Sequence, residues 1–484
     1  MTSRAISIDT SGLYKHKPHG PAGKKSADTP LLSHLRANIQ LRGPISVATY
    51  MKEALTNPMH GYYMNKDAFG QKGDFITSPE ISQMFGEALG VWCSDLWEKL
   101  GRPAMWNLVE LGPGRGSLMH DMLRVLKKTP ELFGQMTIHM VEVSPYLRQK
   151  QAATLGCDPT LLSGDAAKET SSTEDREGSK ILKAGAANFA ADTRDTKPTA
   201  GREETGHWSS PVLTGADGVR VQWHRHFRDV PPGPFLVVAH ELFDALPVYH
   251  FEYTEKGWLE RLVDVDQGEG PHHLRYVLSP GPTYATMALL RQAGVSTEPK
   301  PKLKQKAPTA SFSYRGGEDD DDDNDDDNRP TDGPKVGDRI EVCAEGMALA
   351  SQISEKIARE QGRGAALVID YGQDRTREDT LRAIKNHKIQ DVLCEPGLAD
   401  ITAESIFPRF AARLSRPGQF LQELGIDARL ATLLRSAGDD SAQAKDLIAA
   451  YERLVDDEQM GLTYKAMTIC SLHNVKQPPV GFSL

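Results

Sequence analysis

Apolar residues along this 484-residue chain switch repeatedly between helical and strand spacing. Leu32, Leu35 and Ile39 recur at three- and four-residue steps. Beyond Gly43-Pro44 the set Val47, Tyr50, Met51, Ala54 and Leu55 repeats the rhythm, with Ser46 placed as its cap. Ile81, Phe85, Leu89, Trp92 and Leu96 keep the same step and predict one helix opened by Ser78 and Pro79. Leu108, Val109 and Leu111 form an apolar run too short for a helix, and from Leu118 the spacing turns helical through Met122, Val125 and Leu126 until Pro130. Residues 137–143 read as the next strand, followed by Ser144 and Pro145 in cap and first-turn positions of another helix. Order returns near 219–223, and 235–239 (FLVVA) and 365–369 (AALVI) are apolar runs of the kind buried on both faces of a parallel sheet. Residues 259–265 and 273–278 read as an antiparallel pair, 339–343 as a strand and 347–358 as a helix. Residues 387–402 read as loop-rich, 418–435 and 443–455 as helices, and 465–470 as a last strand. Strands alternating with helices, without a 20- to 50-residue repeat, predict an α/β fold around a mostly parallel sheet.

The stretch 106–117 (WNLVELGPGRGS) organises the rest. A strand breaks into Gly112, Pro113, Gly114, Arg115 and Gly116 and passes straight into a helix. This is the opening of a nucleotide-type βαβ unit, in which glycine lets backbone approach a ligand. A dinucleotide fingerprint would need glycine at 117, and a phosphate loop would need Gly-Lys at 117 and 118, where Ser117 and Leu118 stand. What remains is an acid, Glu110, at the strand end and glycines at 112, 114 and 116, the pattern of S-adenosylmethionine-dependent methyltransferases. A tight turn without a ligand is the alternative.

Three further places carry candidate chemistry. Residues 58–77 hold Gly61, Gly70 and Gly73 with Tyr62, Tyr63, Phe69, Phe75 and Asp74, directly before a helix N-terminus; such a glycine-hinged, aromatic loop predicts a lid. Glu142 ends its strand where an acid accepts both hydroxyls of a ribose, the alternative being a solvated strand end. The strand 235–239 runs into His240, Glu241 and Asp244. Ligands sit at the carboxyl ends of parallel strands, so these acids are expected in the same cleft as the glycines, unless they only complement a helix start.

Composition narrows the picture. The net charge of −9 comes from one run: Glu318, Asp319 to Asp323 and Asp325 to Asp327 are nine acids, and without them the 66 acids fall to 57, matching the 57 bases. A neutral remainder gives no electrostatic reason to expect nucleic acid as partner. The five cysteines (Cys93, Cys157, Cys343, Cys394, Cys470) are scattered and never spaced C-x-x-C, which supports neither a disulfide framework nor a metal site and points to a reducing compartment. No run reaches the roughly 18 apolar residues of a membrane span, so a soluble protein without a transmembrane segment is expected. The expected organisation is a disordered segment at 1–30, whose excess of bases is compatible with a presequence, and a helical and lid region at 31–104. A methyltransferase domain with helical additions follows at 105–475, then a tail at 476–484. Polar insertions at 166–210 and 296–335, the latter with the acidic run 318–327, interrupt the domain and read as disordered.

Taken together and in order, GPISVATYM at 43–51, NPMHGYY at 57–63, GDFITSPEISQMFGE at 73–87, VELGPGRGSL at 109–118, AHELFDALPV at 239–248, IDYG at 369–372 and PGLADIT at 396–402 closely resemble the MidA family, mitochondrial arginine methyltransferases that assist assembly of respiratory complex I. The resemblance spans about 31–475 outside the two insertions. It implies a class I, Rossmann-like methyltransferase fold with added N- and C-terminal helical elements, S-adenosyl-L-methionine as cofactor, and a location in the mitochondrial matrix. It also implies type II activity, the symmetric dimethylation of an arginine on a core complex I subunit. Matched residue by residue, Gly112, Gly114, Gly116, Glu110 and Glu142 fall on the cofactor site, with Gly73, Asp74, Phe75, Thr77, Ser78, Pro79 and Glu80 on the lid. His240, Glu241 and Asp244 fall on the loop after the fourth strand. One departure stands out: after Ala399-Asp400-Ile401-Thr402 this chain continues Ala403-Glu404-Ser405-Ile406-Phe407, where the family continues A-D-V-D-F, which puts the register of that acidic segment in question.

A guanidinium attacks poorly because its lone pairs are delocalised and its pKa exceeds about 12. Paired carboxylates can grip its N–H fork and take the proton as the bond forms. Glu241 is the candidate for this task, with Asp244 or Glu80 as second carboxylate and His240 as proton relay. The rival readings are a non-catalytic assembly chaperone with a retained cofactor pocket, and a methyltransferase acting on RNA or a small molecule.

Overall fold

The computed structural model describes residues 26–64, 77–162, 208–266, 268, 272–295, 334–373, 379–406, 413–438, 441–461, 464–471 and 477–482. Outside them fall residues 1–25, residues 65–76 of the expected lid, nearly all of both expected insertions and the whole acidic run.

The main sheet contains β1 (Trp106–Leu111), β2 (Met136–Val141), β3 (Leu213–Thr214), β4 (Arg220–His224), β5 (Phe235–His240), β6 (Gly364–Gln373), β7 (Ser405–Ile406), β8 (Arg413–Ser415) and β9 (Tyr464–Cys470), in the order β8-β9-β6-β5-β1-β2-β4-β3, with β7 beside β6. The central five strands, β4-β2-β1-β5-β6, run parallel, while β9 and β3 are antiparallel to their neighbours. Every residue of β5 is buried, as its unbroken apolar run predicts for a strand covered on both faces.

Helices cover both faces. After α1 (Pro30–Arg42), α2 (Val47–Thr56) and the short α3 (Ser78–Ile81), α4 (Gln83–Lys99) and α5 (Ser117–Leu126) lie on one side and seat Phe85, Leu89, Trp92, Leu118 and Met122 against Leu108, Ile138, Leu236 and Leu367. On the other, Ile353 and Ile357 of a helix over Ala344–Arg359 meet Val109, Val237, Ala366 and Val368. The alternation of side chains along each strand divides the core into these two layers.

The additions to this sheet are not all helical. The first helices, Pro30–Arg42 and Val47–Thr56, pack Leu31, Leu35, Tyr50 and Ala54 against an antiparallel sheet formed by Ile45–Ser46, Tyr249–Thr254, Gly257–Val265, Leu274–Leu278 and Arg339–Val342. Residues expected as loop at 387–402 contribute Lys388–Gln390 and Asp400–Thr402 to a further three-stranded sheet with Arg382–Lys385. Thr29 and Pro30, expected in the disordered segment 1–30, cap and open the first helix: Thr29 Oγ1 accepts the Leu32 N–H at 3.1 Å. The single helix expected from Ser78 is two, because Ser82 is extended (φ −160°, ψ 141°) and caps α4 through the Met84 N–H, leaving a short Ser78–Ile81 turn before it. Likewise the helix expected over 418–435 divides into Pro417–Glu423 and Ile426–Ala437 at Gly425, which is left-handed (φ 85°). No helix among the described residues is long and apolar enough to cross a membrane.

A buried polar chain crosses β1, β2 and β4. Ser209 Oγ lies 2.7 Å from His224 Nδ1, His224 Nε2 lies 2.8 Å from His139 Nδ1, and His139 Nε2 lies 3.0 Å from Asn107 Oδ1. One neutral tautomer of each ring satisfies the whole chain, with donors running from serine to asparagine. Burial pushes His139 down to about 3, helped by His224 and Lys356, and His224 down to about 4, with Asp229 opposing. Since the unfolded rings protonate near 6.5 and the folded ones do not, stability present above that pH is lost as it falls. The loss is about 2 kcal/mol per histidine between pH 6.5 and 5. Urea unfolding should show this decline blunted in the His139→Gln/His224→Gln double variant. Equal declines would remove the pair as its cause.

Candidate active site

The cleft opens at the carboxyl ends of β1, β2 and β5 and encloses about 1140 Å³, enough for a nucleotide-sized ligand and part of a second. Its first wall is the glycine loop. Gly112, Gly114 and Gly116 are all left-handed, with φ of 63°, 52° and 81°. At Gly112 a Cβ would lie 2.8 Å from Leu242 Cδ1, which a rotation of that side chain can relieve, so the left-handed backbone is what favours glycine there. Glu110 lines the cleft from within β1. Its Oε2 is buried with no partner among the described residues, and burial together with Glu142 pushes it up to about 8 against the Met119 N–H bond.

Glu142 sits just past the end of β2, which stops at Val141 rather than at 143 as expected. Burial raises its carboxyl to about 7 in spite of bonds from the Ser144 N–H (2.8 Å) and Gln151 Nε2 (3.2 Å) and the charge of Arg148. Ser144 caps the helix Pro145–Thr154, as expected, and that helix delivers Gln151. The fully buried Gln151 ties three parts of the wall together. Its Nε2 also donates to the Gly114 carbonyl at 2.8 Å, and its Oε1 accepts from Trp223 Nε1 at 2.9 Å.

Of the expected lid residues, Gly73, Asp74 and Phe75 lie outside the described residues. Thr77 and Pro79 line the cleft, and Glu80 is bound into the glycine loop, accepting from Ser117 Oγ (3.2 Å) and facing Arg115 (3.5 Å). Ser78 turns to the opposite wall instead: its Oγ lies 3.2 Å from His240 Nε2 and its N–H donates to the Glu241 carboxylate.

That opposite wall begins where β5 ends. Glu241 is left-handed (φ 48°), a conformation costing a non-glycine residue about 1 kcal/mol or more that the surroundings must over-determine. Its Oε1 accepts from Tyr464 Oη at 2.6 Å and lies 3.5 Å from His240 Nε2. Burial pushes Glu241 up to about 8; the Tyr464 bond opposes this, and the Asp244 and Asp400 charges add to it. The carboxyl of Asp244 is raised by burial and accepts from Thr402 Oγ1 at 2.7 Å. Burial holds His240 down near 3, so its imidazole is neutral at ordinary pH. Glu241 feels Asp244 and Asp400 as its neighbouring acids, whereas Glu80 serves the glycine loop.

The Asp400 segment, whose register the sequence left open, enters the cleft: Asp400 and Thr402 line it, and Asp400 Oδ2 accepts from Tyr63 Oη at 2.8 Å. Sequence reasoning missed Gln151, Trp223, Tyr371 and Tyr464, and named Tyr63 only as an aromatic of the lid, without its Asp400 partner. Tyr371 lines the cleft with its ring 3.9 Å from that of Tyr464, and its place after a buried parallel strand was the signal that could have found it. Among the described residues no group of three or more His, Cys, Asp or Glu side chains is arranged to hold a metal ion.

Known proteins resemble the chain over nearly all of its length. A family model of S-adenosyl-L-methionine-dependent methyltransferases matches residues 88–416. The mitochondrial protein arginine methyltransferase NDUFAF7 of Danio rerio is 36% identical over 463 residues, covering 93% of this chain and 89% of the relative. Its counterpart in Homo sapiens is 34% identical over 469 residues, covering 94% and 86%. A crystal structure of a Burkholderia thailandensis protein bound to S-adenosyl-homocysteine shares the fold, with a TM-score of 0.61 at 20% identity over 95% of this chain and 98% of that one. A glycine loop at the first parallel strand, an acid after the second and a family match across every strand of the main sheet but β9 agree. The chain belongs to the MidA family of S-adenosylmethionine-dependent methyltransferases, the family of NDUFAF7.

Proposed function

We propose that this protein transfers the methyl group of S-adenosylmethionine to an arginine of a protein acceptor, and in full that it symmetrically dimethylates an arginine on a core subunit of complex I in the mitochondrial matrix. The observation that carries the reading is the acid wall facing the glycine loop, where Glu241, Asp244 and Asp400 line one cleft. The relatives named as mitochondrial protein arginine methyltransferases support it.

The residues present fit the cofactor. When bound, it supplies a methyl group on a sulfonium, already a good leaving group, so the protein's task is alignment. Glu110 would offer Oε2, which has no partner among the described residues, to an ammonium, and Glu142 has acceptor capacity left for ribose hydroxyls beyond that taken by Ser144, Gln151 and the Val143 N–H. The glycine loop would lie against the cofactor's body, with Thr77 and Pro79 across from it.

On the acceptor side, Tyr464 holds Glu241 Oε1 and leaves Oε2 to receive a guanidinium N–H. An ionised Glu241 draws positive charge away from the attacking nitrogen and takes its proton at Oε2 as the new bond forms, then releases it to water. His240 Nε2 lies 3.5 Å from the other oxygen, Oε1, and burial holds the ring near 3, so it would stand beside Glu241 as a neutral imidazole and leave that proton to water.

Labelled cofactor incubated with purified complex I core subunits, and mass spectrometry of subunit peptides from cells lacking this protein, test the proposal. Loss of a symmetric dimethyl-arginine signal in those cells is expected. Intact cofactor binding with no transfer would leave the chaperone reading. Glu241→Gln should lower kcat about 10²- to 10³-fold while cofactor affinity stays within about twofold. Because Glu241 must be ionised to act and is pushed up to about 8, kcat/KM for the acceptor should rise with pH towards 8 and then level. The rise should vanish in Glu241→Gln, and its survival there would assign it to Glu110 or Glu142. Gln151→Leu, which releases Gly114, Glu142 and Trp223 at once, should weaken cofactor binding about 10-fold by calorimetry; unchanged affinity would show that the glycine loop keeps its shape alone.

A further inference from the structure

Directly beneath the acid wall lies a carboxylate that does not touch the cleft. Asp370 is fully buried in β6, one residue past Ile369, the last position at which β6 pairs with β5. There β5 leaves the sheet and turns. The first four N–H groups of that turn are tied back to β6: Glu241 N–H donates to the Ile369 carbonyl at 3.0 Å, and Leu242, Phe243 and Asp244 N–H all converge on Asp370 Oδ2 at 3.2, 2.7 and 3.2 Å. Asp370 Oδ1 takes the Tyr371 N–H at 2.8 Å. The same residue thus fixes the backbone on both sides of the acceptor chamber, under Glu241 and Asp244 and under Tyr371.

We propose that Asp370 is the positioning residue of the acceptor wall: it holds the left-handed turn that points Glu241 into the cleft, by gathering the next three backbone N–H groups onto one carboxylate oxygen. Its catalytic consequence rests on the arginine-methyltransfer reading; the clamp itself does not. A carboxylate is required because both oxygens must accept. Asparagine has one acceptor oxygen, so its NH2 would oppose either the three N–H groups of the turn or that of Tyr371. Burial and the nearby Asp244 and Glu241 charges push the Asp370 carboxyl well up, and the N–H groups of Phe243 and Asp244 oppose them by favouring the ionised form. A purely structural aspartate would spend its bonds across the core. This one spends them on the residues that frame the acceptor.

Asp370→Asn, Asp370→Glu and a control in the same strand, Val368→Ala, separate these roles in the full-length protein. Cofactor binding by calorimetry should stay within about twofold in all three. Amide hydrogen exchange at Leu242, Phe243 and Asp244 should quicken in both Asp370 variants and not in the control. The kcat for an arginine acceptor should fall about 10- to 100-fold in Asp370→Asn, with Asp370→Glu in between and KM for the cofactor little changed. Asp370→Asn should add little to the loss already caused by Glu241→Gln, because both act through one group. If the variants fail to fold, the unmodified protein still decides the clamp: its Leu242, Phe243 and Asp244 amides should exchange as slowly as those of β5. Fast exchange there, or variants with quickened exchange and unaltered kcat, overturns the proposal. A wild-type protein that transfers no methyl group to any arginine acceptor overturns the methyltransfer reading instead, and leaves the exchange result standing.

Discussion

Burying acids at the end of a parallel sheet is the constraint to which the rest of this structure answers. Glu110, Glu142, Glu241, Asp244, Asp370 and Asp400 are all withdrawn from water around one cleft, where an uncompensated carboxylate costs several kcal/mol. Each site reduces that cost differently. Asp370 is bonded by four backbone N–H groups, Asp244 and Asp400 by the hydroxyls of Thr402 and Tyr63, and Glu241 by Tyr464 and the Ser78 N–H. Where donors are few the proton itself is the remedy, as at Glu110 and Glu241, both raised to about 8. The folded protein therefore holds acids that a bound cation would release to ionise.

The two walls are mechanically joined rather than merely opposed. Leu242, at the second position of the acceptor turn, fills the space that a side chain at Gly112 would need. Ser78 reaches the same turn from the other side through His240 and Glu241, while Glu80 two residues later reaches the glycine loop through Ser117 and Arg115. The short helix Ser78–Ile81 thus touches both halves of the cleft within three residues, and its separation from α4 at Ser82 allows that.

Much of this was legible in the sequence, and the illegible parts share a cause. Six strands of the main sheet (β1, β2, β4, β5, β6 and β9), the glycine loop and the caps at Ser46 and Ser144 follow from local patterns that tertiary structure left intact, whereas β3, β7 and β8 are too short to carry such a pattern. The joints at Ser82 and Gly425 were hidden because the apolar spacing runs across each of them in phase, as Ile81 and Phe85 show. The strands at 388–390 and 400–402 were hidden because they are short and lean on partners elsewhere in the chain. In the site, Glu110, Glu142, Glu241 and Asp244 could be found by the rule for carboxyl ends of parallel strands. Gln151 could not: it lies on an ordinary helix, and its importance arises from Gly114 and Trp223, 37 and 72 residues away. Asp370 obeyed the carboxyl-end rule but faces away from the cleft, so the rule would have named it for the wrong reason.

If the wall of Glu241, Asp244 and Asp400 receives the acceptor, as proposed, its electrostatics also decide which acceptors it can serve. At about 4 Å, a unit charge beside an ionised Glu241 is worth about 4 kcal/mol at an effective dielectric of 20. Ionising a group raised to about 8 costs about 1.4 kcal/mol at pH 7. A guanidinium returns more than that cost, and its second N–H can reach a further carboxylate. A neutral hydroxyl or amide returns much less, so beside it Glu241 keeps its proton and cannot act as a base. A nucleic-acid phosphate at the same distance would likewise leave Glu241 protonated and gain nothing from it, so a cation is preferred by about 3 kcal/mol, roughly two orders of magnitude in occupancy. The same burial that makes these carboxylates costly to keep therefore makes the site selective for cations, with no contact to the acceptor beyond its charged head.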